Sequence, residues 1–394
     1  MTVVSPGQRS APRGNASGSG RDERIDFLRG LAMIAVIVNH VAIPSFYHLF
    51  SVEGLGLVSG AEGFVLFSGT MVGLVYGRRM LRDGWLFTAK KLWARSARLY
   101  LIALITALAV YLLQFVSIID MSPLTAYRDP RTGRIFSLYG DSPSLGTFAL
   151  NMATLSYGPG QINILGLYVV LLAVAPLILL SLRGRGWPVV MAVSCIIYVW
   201  QLFRPTRVLP AQSENSFTIL SWQALFVSGL LAGYYRDRIK SIYRGRYGTL
   251  CGWAIVAVAV GLWLLALNHP GHEMPGRIRL RWIPESTFYW LYQHFFERIV
   301  LGPGRFLNIL ALAGTLYLFL IRFRHPIRLA GWLLIPIGRA TLAVFIIHLV
   351  FVVAAHNMGL LQRNNLWVNT LAHTGVILAI ALMIRNRALM RLLH

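Results

Sequence analysis

Acidic residues are scarce in this chain: 14 Asp and Glu stand against 37 Lys and Arg among 394 residues, a formal net charge of +23. Charge of either sign is thin as well, at 13% of residues, where an ordinary soluble domain carries about 25%. With 56% hydrophobic residues and a mean hydropathy of +0.60, that scarcity excludes a string of soluble domains, although the length would accommodate two or three. Cysteine is nearly absent. Cys195 and Cys251 both sit in apolar runs and read as packing residues, not as a disulfide. No GxxxxGK[ST] phosphate loop occurs, which argues against an ATP-driven pump. No internal repeat or coiled-coil heptad stands out. Residues 1–20 are rich in Ser, Gly, Pro and Asn without an apolar core, so a disordered tail (1–22) is expected and no cleavable signal peptide.

What the chain does have is apolar runs of membrane-spanning length. The hydropathy predicts about ten, at 27–45, 54–76, 99–118, 162–182, 187–202, 219–235, 249–267, 306–321, 332–355 and 367–384. The fifth and sixth are short, and 145–157 is apolar enough for an interfacial or re-entrant piece. The expected fold is therefore an all-α polytopic membrane bundle forming one unit, 23–394, in the bilayer. A soluble protein so basic would suggest nucleic acid. Here the excess has a topological explanation, because basic residues mark cytoplasmic loops. Starting the N-terminus inside and alternating puts most Lys and Arg on the cytoplasmic side, giving an N-in, C-in expectation. The longer connections, 119–161 and 268–305, then lie outside and could fold over the external face.

Ionisable groups within the spans need a reason, since each costs several kcal/mol in hydrocarbon. Arg29 and His40 are 11 residues apart, which at about 100° per residue returns to roughly the same helix face, about 16 Å along the axis. A stripe of Arg29, Met33, Val36 and His40 would point into the bundle, with an anion-binding end and a deeper proton-transfer end. Glu62, in Ser59-Gly-Ala-Glu-Gly-Phe-Val-Leu-Phe-Ser-Gly69, needs a cation, a histidine or a proton, and His40 is one candidate partner. Gly69, Gly73 and Gly77 form a GxxxGxxxG stripe suited to close helix packing. From Trp85 to Tyr100, basic residues alternate with Trp85, Phe87, Leu92, Trp93 and Leu99, which suits an amphipathic helix in the cytoplasmic interface. Its anionic partner is then either the lipid headgroups or a phosphorylated cytosolic ligand, and for the second Arg95 and Arg98, one turn apart, are better placed than the lysines. Arg339, after Pro336 and Gly338, is a second phosphate candidate. His348 and His373 read as packed or hydrogen-bonded histidines. No metal site is expected.

At this point the residues resemble a family. Arg21-Asp-Glu-Arg-Ile-Asp-Phe-Leu-Arg-Gly-Leu-Ala32 followed by His40, then Ala61-Glu-Gly-Phe-Val-Leu-Phe-Ser-Gly69, is similar to the OpgC family, related to the type 3 membrane acyltransferases and linked to succinylation of periplasmic glucans. Leu165-Gly-Leu-Tyr-Val-Val-Leu-Leu, Ser221-Trp-Gln-Ala-Leu-Phe-Val-Ser-Gly229 and Gly338-Arg-Ala-Thr-Leu-Ala-Val-Phe345 extend the likeness. The superfamily's Arg-x10-His pattern falls on Arg29 and His40, its Arg-x-x-Arg on Arg95 and Arg98, and its aromatic-Ser-Gly segment on Phe64 to Gly69. The likeness implies an acyl-coenzyme A donor, succinyl or acetyl, entering from the cytoplasm with its phosphates on Arg29, Arg95, Arg98 and Arg339. His40 would activate an acceptor hydroxyl, or carry the acyl group covalently, with Asn39, Ser68 and His348 on the substrate side. The acceptor implied is an envelope glycan or glycolipid at the cytoplasmic membrane of a bacterium. Asn39 departs from the family, which often has Asp before the histidine, and so Asp26 or Glu62 is expected to supply the carboxylate. The competing class is a proton-coupled transporter or flippase with His40, Glu62 and Arg339 as its relay.

Overall fold

The computed structural model of the chain describes residues 22–50, 56–128, 133–140, 144–270, 279–359 and 365–386. The expected tail lies outside them but for Asp22, as do parts of both long connections. Within them helices joined by turns and loops make up the chain, with one antiparallel strand pair, Ala126–Arg128 with Ile135–Ser137. The principal helices, numbered in chain order, are α1 (Glu23–Val41), α2 (Gly60–Met71), α3 (Trp85–Leu113), α4 (Asn163–Leu182), α5 (Trp187–Phe203) and α6 (Ile219–Tyr234). They continue with α7 (Gly248–Ala266), α8 (Pro303–Arg322), α9 (His325–Arg339), α10 (Thr341–Asn357) and α11 (Leu366–Arg385).

Among the described residues, five helical segments are long and apolar enough to cross a membrane: α3, α4 with its leading turn, α7, α8 and α11. A sixth is added if α9 and α10 form one bent span. That is fewer than the ten apolar runs in the sequence, for physical reasons. Helices α5 and α6 are apolar but only 17 and 16 residues long. Helix α1 carries Glu23, Arg24, Asp26 and Arg29 in its first two turns. Helix α2 gives way to a π turn, Val72–Tyr76, before the chain resumes as Gly77–Asp83. The run 332–355 is not one helix: α9 and α10 meet at 94° around Ala340. Pro336 lacks the amide a continuous ladder needs, and the last turn closes from Ala340 N–H onto the Pro336 carbonyl at 3.0 Å. The stretch from Trp85 to Tyr100 is likewise no separate interfacial helix, because it is the first half of the 29-residue α3.

Helix α1 is the axis of the bundle, packed against α2, α8, α9, α10 and α11. Asp22 caps it, accepting from Arg24 N–H at 3.1 Å, and Arg236 and Tyr317 also hydrogen-bond that carboxylate. Glycine permits the closest crossings. A Cβ on Gly69 or Gly73 of the α2 segment would run into the carbonyl of Phe226 or Leu230 on α6, and Gly229 and Gly233 return the contact at Leu66 and Thr70. Helix α3 is hung on α4 by Trp85, Trp93 and Ser96, which donate to the carbonyls of Pro176 (2.9 Å), Ala173 (3.0 Å) and Val169 (2.7 Å). Large apolar side chains such as Ile105, Ile196, Leu250, Trp253 and Leu382 face outward, as hydrocarbon requires and water would not allow on this scale. Cys195 and Cys251 are free and lie on those outward faces instead of packing inside.

Both long connections gather at the end of the bundle where His40 lies. The first contributes the strand pair and a helix at Leu145–Ala153, the second a helix at Glu285–Phe295. The first is latched to the end of α10 by Asp120, which accepts from Ser122 N–H and pairs with His356 Nε2, both at 2.8 Å. The Ser122 amide first, and then His356, hold the Asp120 carboxyl below the usual carboxylate range.

Candidate active site

Helix α1 carries Arg29 near its start and His40 near its end, and each lines a cavity. At the Arg29 end a space of ≈ 420 Å³ is walled by Arg29, Arg79, Arg95, Arg98 and Arg339, with Tyr76 and Thr341. Three local features build it. Helix α3 presents Arg95 and Arg98 one turn apart, the π turn widens the wall at Val75 and Tyr76, and the break between α9 and α10 delivers Arg339 and Thr341 to α1. A π turn at such a place is a common way to open a helix toward a ligand. Arg29 Nη2 donates to Thr341 Oγ1 at 2.9 Å, and Nη1 lies 3.7 Å from Asp26 Oδ1. Arg339 Nε donates to the other Asp26 oxygen at 3.1 Å. Buried Asp26 thus holds two guanidinium groups in place. Among the described residues no carboxylate pairs with Arg95 or Arg98, so the cavity keeps a net positive potential suited to phosphate.

A neck of ≈ 40 Å³ opens beside Arg29 and Arg95 and is lined by Phe64, Ser68, Tyr168, Leu165 and Phe345. Phe64 stacks on Phe345 at 6.3 Å and meets Tyr168 edge-on at 5.2 Å. Phe345 in turn meets the His40 ring edge-on at 6.4 Å. Beyond it a second cavity of ≈ 550 Å³ is lined by His40, Arg298, Gln161, Asn163, Gln212, Asn215, Ser216 and Tyr127. Four amides and two hydroxyls alternate on this wall with Pro123, Ala126 and Leu138, and the two long connections supply much of it. Such a lining can hydrogen-bond a polyhydroxylated ligand without demanding a charge from it.

The structure brings Arg29, Arg95, Arg98 and Arg339 together, with Ser68 in the neck and His40 on the far cavity. Among the described residues it does not bring a carboxylate to His40. Glu62, expected as a partner, is buried at the start of α2: Ser59 N–H donates to its Oε2 at 2.9 Å, and Arg305 Nε donates to its Oε1. Asp26, the other expected carboxylate, is engaged by Arg29 and Arg339 at the opposite end of α1. The partner of His40 is His348, whose Nε2 lies 2.8 Å from His40 Nδ1. Asn39 lines neither large cavity and makes no side-chain hydrogen bond among the described residues. His373 is buried, with Nδ1 2.8 Å from Ser45 Oγ. A relay of His40, Glu62 and Arg339 has no continuity here, because Glu62 is held by Arg305 and Arg339 lies at the far end of α1 from His40.

Sequence reasoning did not pick out Arg79, Tyr168, Arg298, Thr341 or Arg305. Arg305 carried a usable signal, since an arginine opening an apolar helix after Gly302-Pro303 calls for a buried anion. Ser59-x-x-Glu62 before an apolar run is a capping-box pattern, which explains why that carboxylate stays at its own helix terminus. Arg298 and Tyr168 carry no local pattern, and only the fold brings them to the cavities.

Compared with known proteins, the chain matches a family model described as OpgC protein over residues 21–391. No curated protein and no solved structure matches it.

Proposed function

The chain belongs to the OpgC family, and on that footing we propose that it is an integral membrane O-acyltransferase. It moves a short acyl group, succinyl or acetyl, from cytoplasmic acyl-coenzyme A to a hydroxyl of an extracytoplasmic envelope glycan or glycolipid. The observation that carries the proposal is the pair of cavities at opposite ends of α1, one walled by five arginines and one lined by His40 with amides, with a small space running from the first as far as Phe345, which packs against His40. The donor's phosphates sit among Arg29, Arg79, Arg95, Arg98 and Arg339, where guanidinium groups can bind bidentately. The acyl end passes Ser68 and Tyr168 toward Phe345 and His40. A neck this small favours a chain of a few carbons over a fatty acyl group.

In the reaction, His40 takes the proton of the acceptor hydroxyl as its oxygen attacks the thioester carbonyl. The carbon–sulfur bond breaks, and the coenzyme A thiolate leaves and takes up the proton from the imidazolium, so protons and electrons balance. General-base assistance of this kind is worth roughly 10²–10⁴-fold. The phosphate end serves to bind and orient the donor. The setting proposed is the cytoplasmic membrane of a bacterium, with the Arg29 cavity facing the cytoplasm.

The test is transfer of label from succinyl- and acetyl-coenzyme A to envelope glycan by the full chain in vesicles. His40→Ala should lower transfer by roughly 100-fold or more, and undiminished transfer removes His40 from the chemistry. Arg95→Ala and Arg98→Ala should each raise the donor KM about tenfold while leaving kcat nearly unchanged. An unchanged donor KM in both takes the phosphate site elsewhere.

A further inference from the structure

The His40–His348 pair raises a question of tautomer. A neutral imidazole has one donor and one acceptor nitrogen, so in the 2.8 Å contact between His40 Nδ1 and His348 Nε2 one ring must donate and the other accept. His348 is fully buried on α10, and its Nδ1, on the side of the Val344 and Phe345 carbonyls one turn back, completes no hydrogen bond. A nitrogen facing carbonyl oxygens keeps its proton, because a lone pair there would be repelled. His348 therefore carries hydrogen on Nδ1 and offers the lone pair of Nε2. His40 must donate from Nδ1, which leaves its Nε2 unprotonated and available to the ≈ 550 Å³ cavity that His40 lines.

We propose that His348 is a positioning residue: it accepts the His40 Nδ1 hydrogen and thereby fixes the tautomer in which His40 Nε2 is the base. A carboxylate commonly does this for a catalytic histidine. Here the carboxylate candidates are elsewhere, Asp26 with Arg29 and Arg339, Glu62 with Ser59 and Arg305, and position 39 is an asparagine. A neutral imidazole cannot neutralise the imidazolium that forms during turnover, so its contribution is orientation and tautomer, not charge. The rings are held for it: the His40 and His348 planes lie 26° apart with centroids at 5.0 Å, near enough to coplanar for the in-plane contact, and Phe345 packs against both. Arg298 is the one other charged group facing His40 among the described residues.

This inference rests on the reading of His40 as the base, so the experiment separates the two. The full chain in nanodiscs, labelled with ¹⁵N-histidine, is compared by NMR in the wild type and His348→Leu, and acyl transfer is measured in His348→Leu, His348→Ala and His348→Gln. The expected result is a His40 signal of the Nδ1–H form in the wild type, with the signal redistributed between tautomers in His348→Leu. Transfer should fall roughly 10- to 100-fold in kcat for His348→Leu and His348→Ala, with the donor KM unchanged. His348→Gln, whose amide oxygen can accept the same hydrogen, should recover much of the loss. An Nε2–H form of His40 in the wild type overturns the proposal, as does an unchanged kcat in a folded His348→Leu. A loss that Gln shares equally with Leu also overturns it, since packing alone would then explain the effect. Full transfer in His40→Ala would instead defeat the catalytic reading of His40 and leave the NMR result as a statement about the pair alone.

Discussion

At the scale of single residues, the Glu62–Arg305 pair shows what a charge inside the bundle requires. Both side chains are buried, and both Glu62 oxygens are in use, one on Arg305 and one on the Ser59 amide. Removing one partner of a buried pair leaves an uncompensated charge and costs about 3–5 kcal/mol, while removing both together costs less. Arg305→Leu is therefore expected to lower stability by about that amount, and Arg305→Leu combined with Glu62→Gln by clearly less, as read by thermal unfolding in detergent. A double variant as unstable as the two single ones added would show that the pair does not act as a unit. The sequence made the need for a partner legible, because a carboxylate in an apolar run must find a cation, a histidine or a proton. It could not show which, since Arg305 lies 243 positions away. His40 is nearer in sequence, but the cap ties one Glu62 oxygen to the start of its own helix, and the cation that meets the other oxygen there is Arg305.

At the scale of elements, the basic cavity depends on how closely α9 can approach α1. A Cβ on Gly338 would overlap the Asp26 carbonyl, and one on Gly30 would overlap the carbonyl of Leu334. Gly338→Ala must therefore push the helices apart at the point where Asp26 holds Arg29 and Arg339. Overpacking of this kind costs about 1–3 kcal/mol, and the expected functional consequence is a several-fold rise in the donor KM. Gly331→Ala on the same helix is the control, because its Cβ would meet only the flexible side chains of Ile335 and Ile327. Equal donor KM values in the two variants would detach the cavity from this crossing. Elements were unevenly legible. Apolar length located α3, α4, α7, α8 and α11, and the glycine stripe foretold a tight crossing without naming α6 as its partner. The 94° break at Ala340 was hidden, because Pro336 and Gly338 sit in a run whose hydropathy alone reads as one span. That break is what lets Arg339 and Thr341 meet Arg29, while His348, further along α10, meets His40.

At the scale of the whole molecule, the charge excess and the two cavities make one claim about orientation. Arg78, Arg79, Arg82, Lys90, Lys91, Arg95 and Arg98 precede or open α3 on the side of the basic cavity, and Arg183, Arg185, Arg322 and Arg324 end or follow helices that finish there. By the positive-inside rule this side is expected to face the cytoplasm, where the proposed phosphorylated thioester would be found. The other end also carries basic residues, among them Arg204, Arg207, Arg279, Arg281 and Arg298, so counting charges alone gives a weak bias and labelling decides. With Cys195 and Cys251 replaced by alanine, single cysteines are introduced at Arg82, beside the basic cavity, and at Leu209, in the segment leading to Gln212 of the His40 cavity. Both positions are exposed. A membrane-impermeant maleimide should label Leu209→Cys and spare Arg82→Cys in right-side-out vesicles, and the pattern should reverse in inverted ones. The opposite pattern would turn the arginine cavity away from cytosolic acyl-coenzyme A and His40 away from an envelope acceptor. Donor entry, acceptor entry and the net charge would then all need a different explanation, because the single helix α1 fixes both cavities to one orientation.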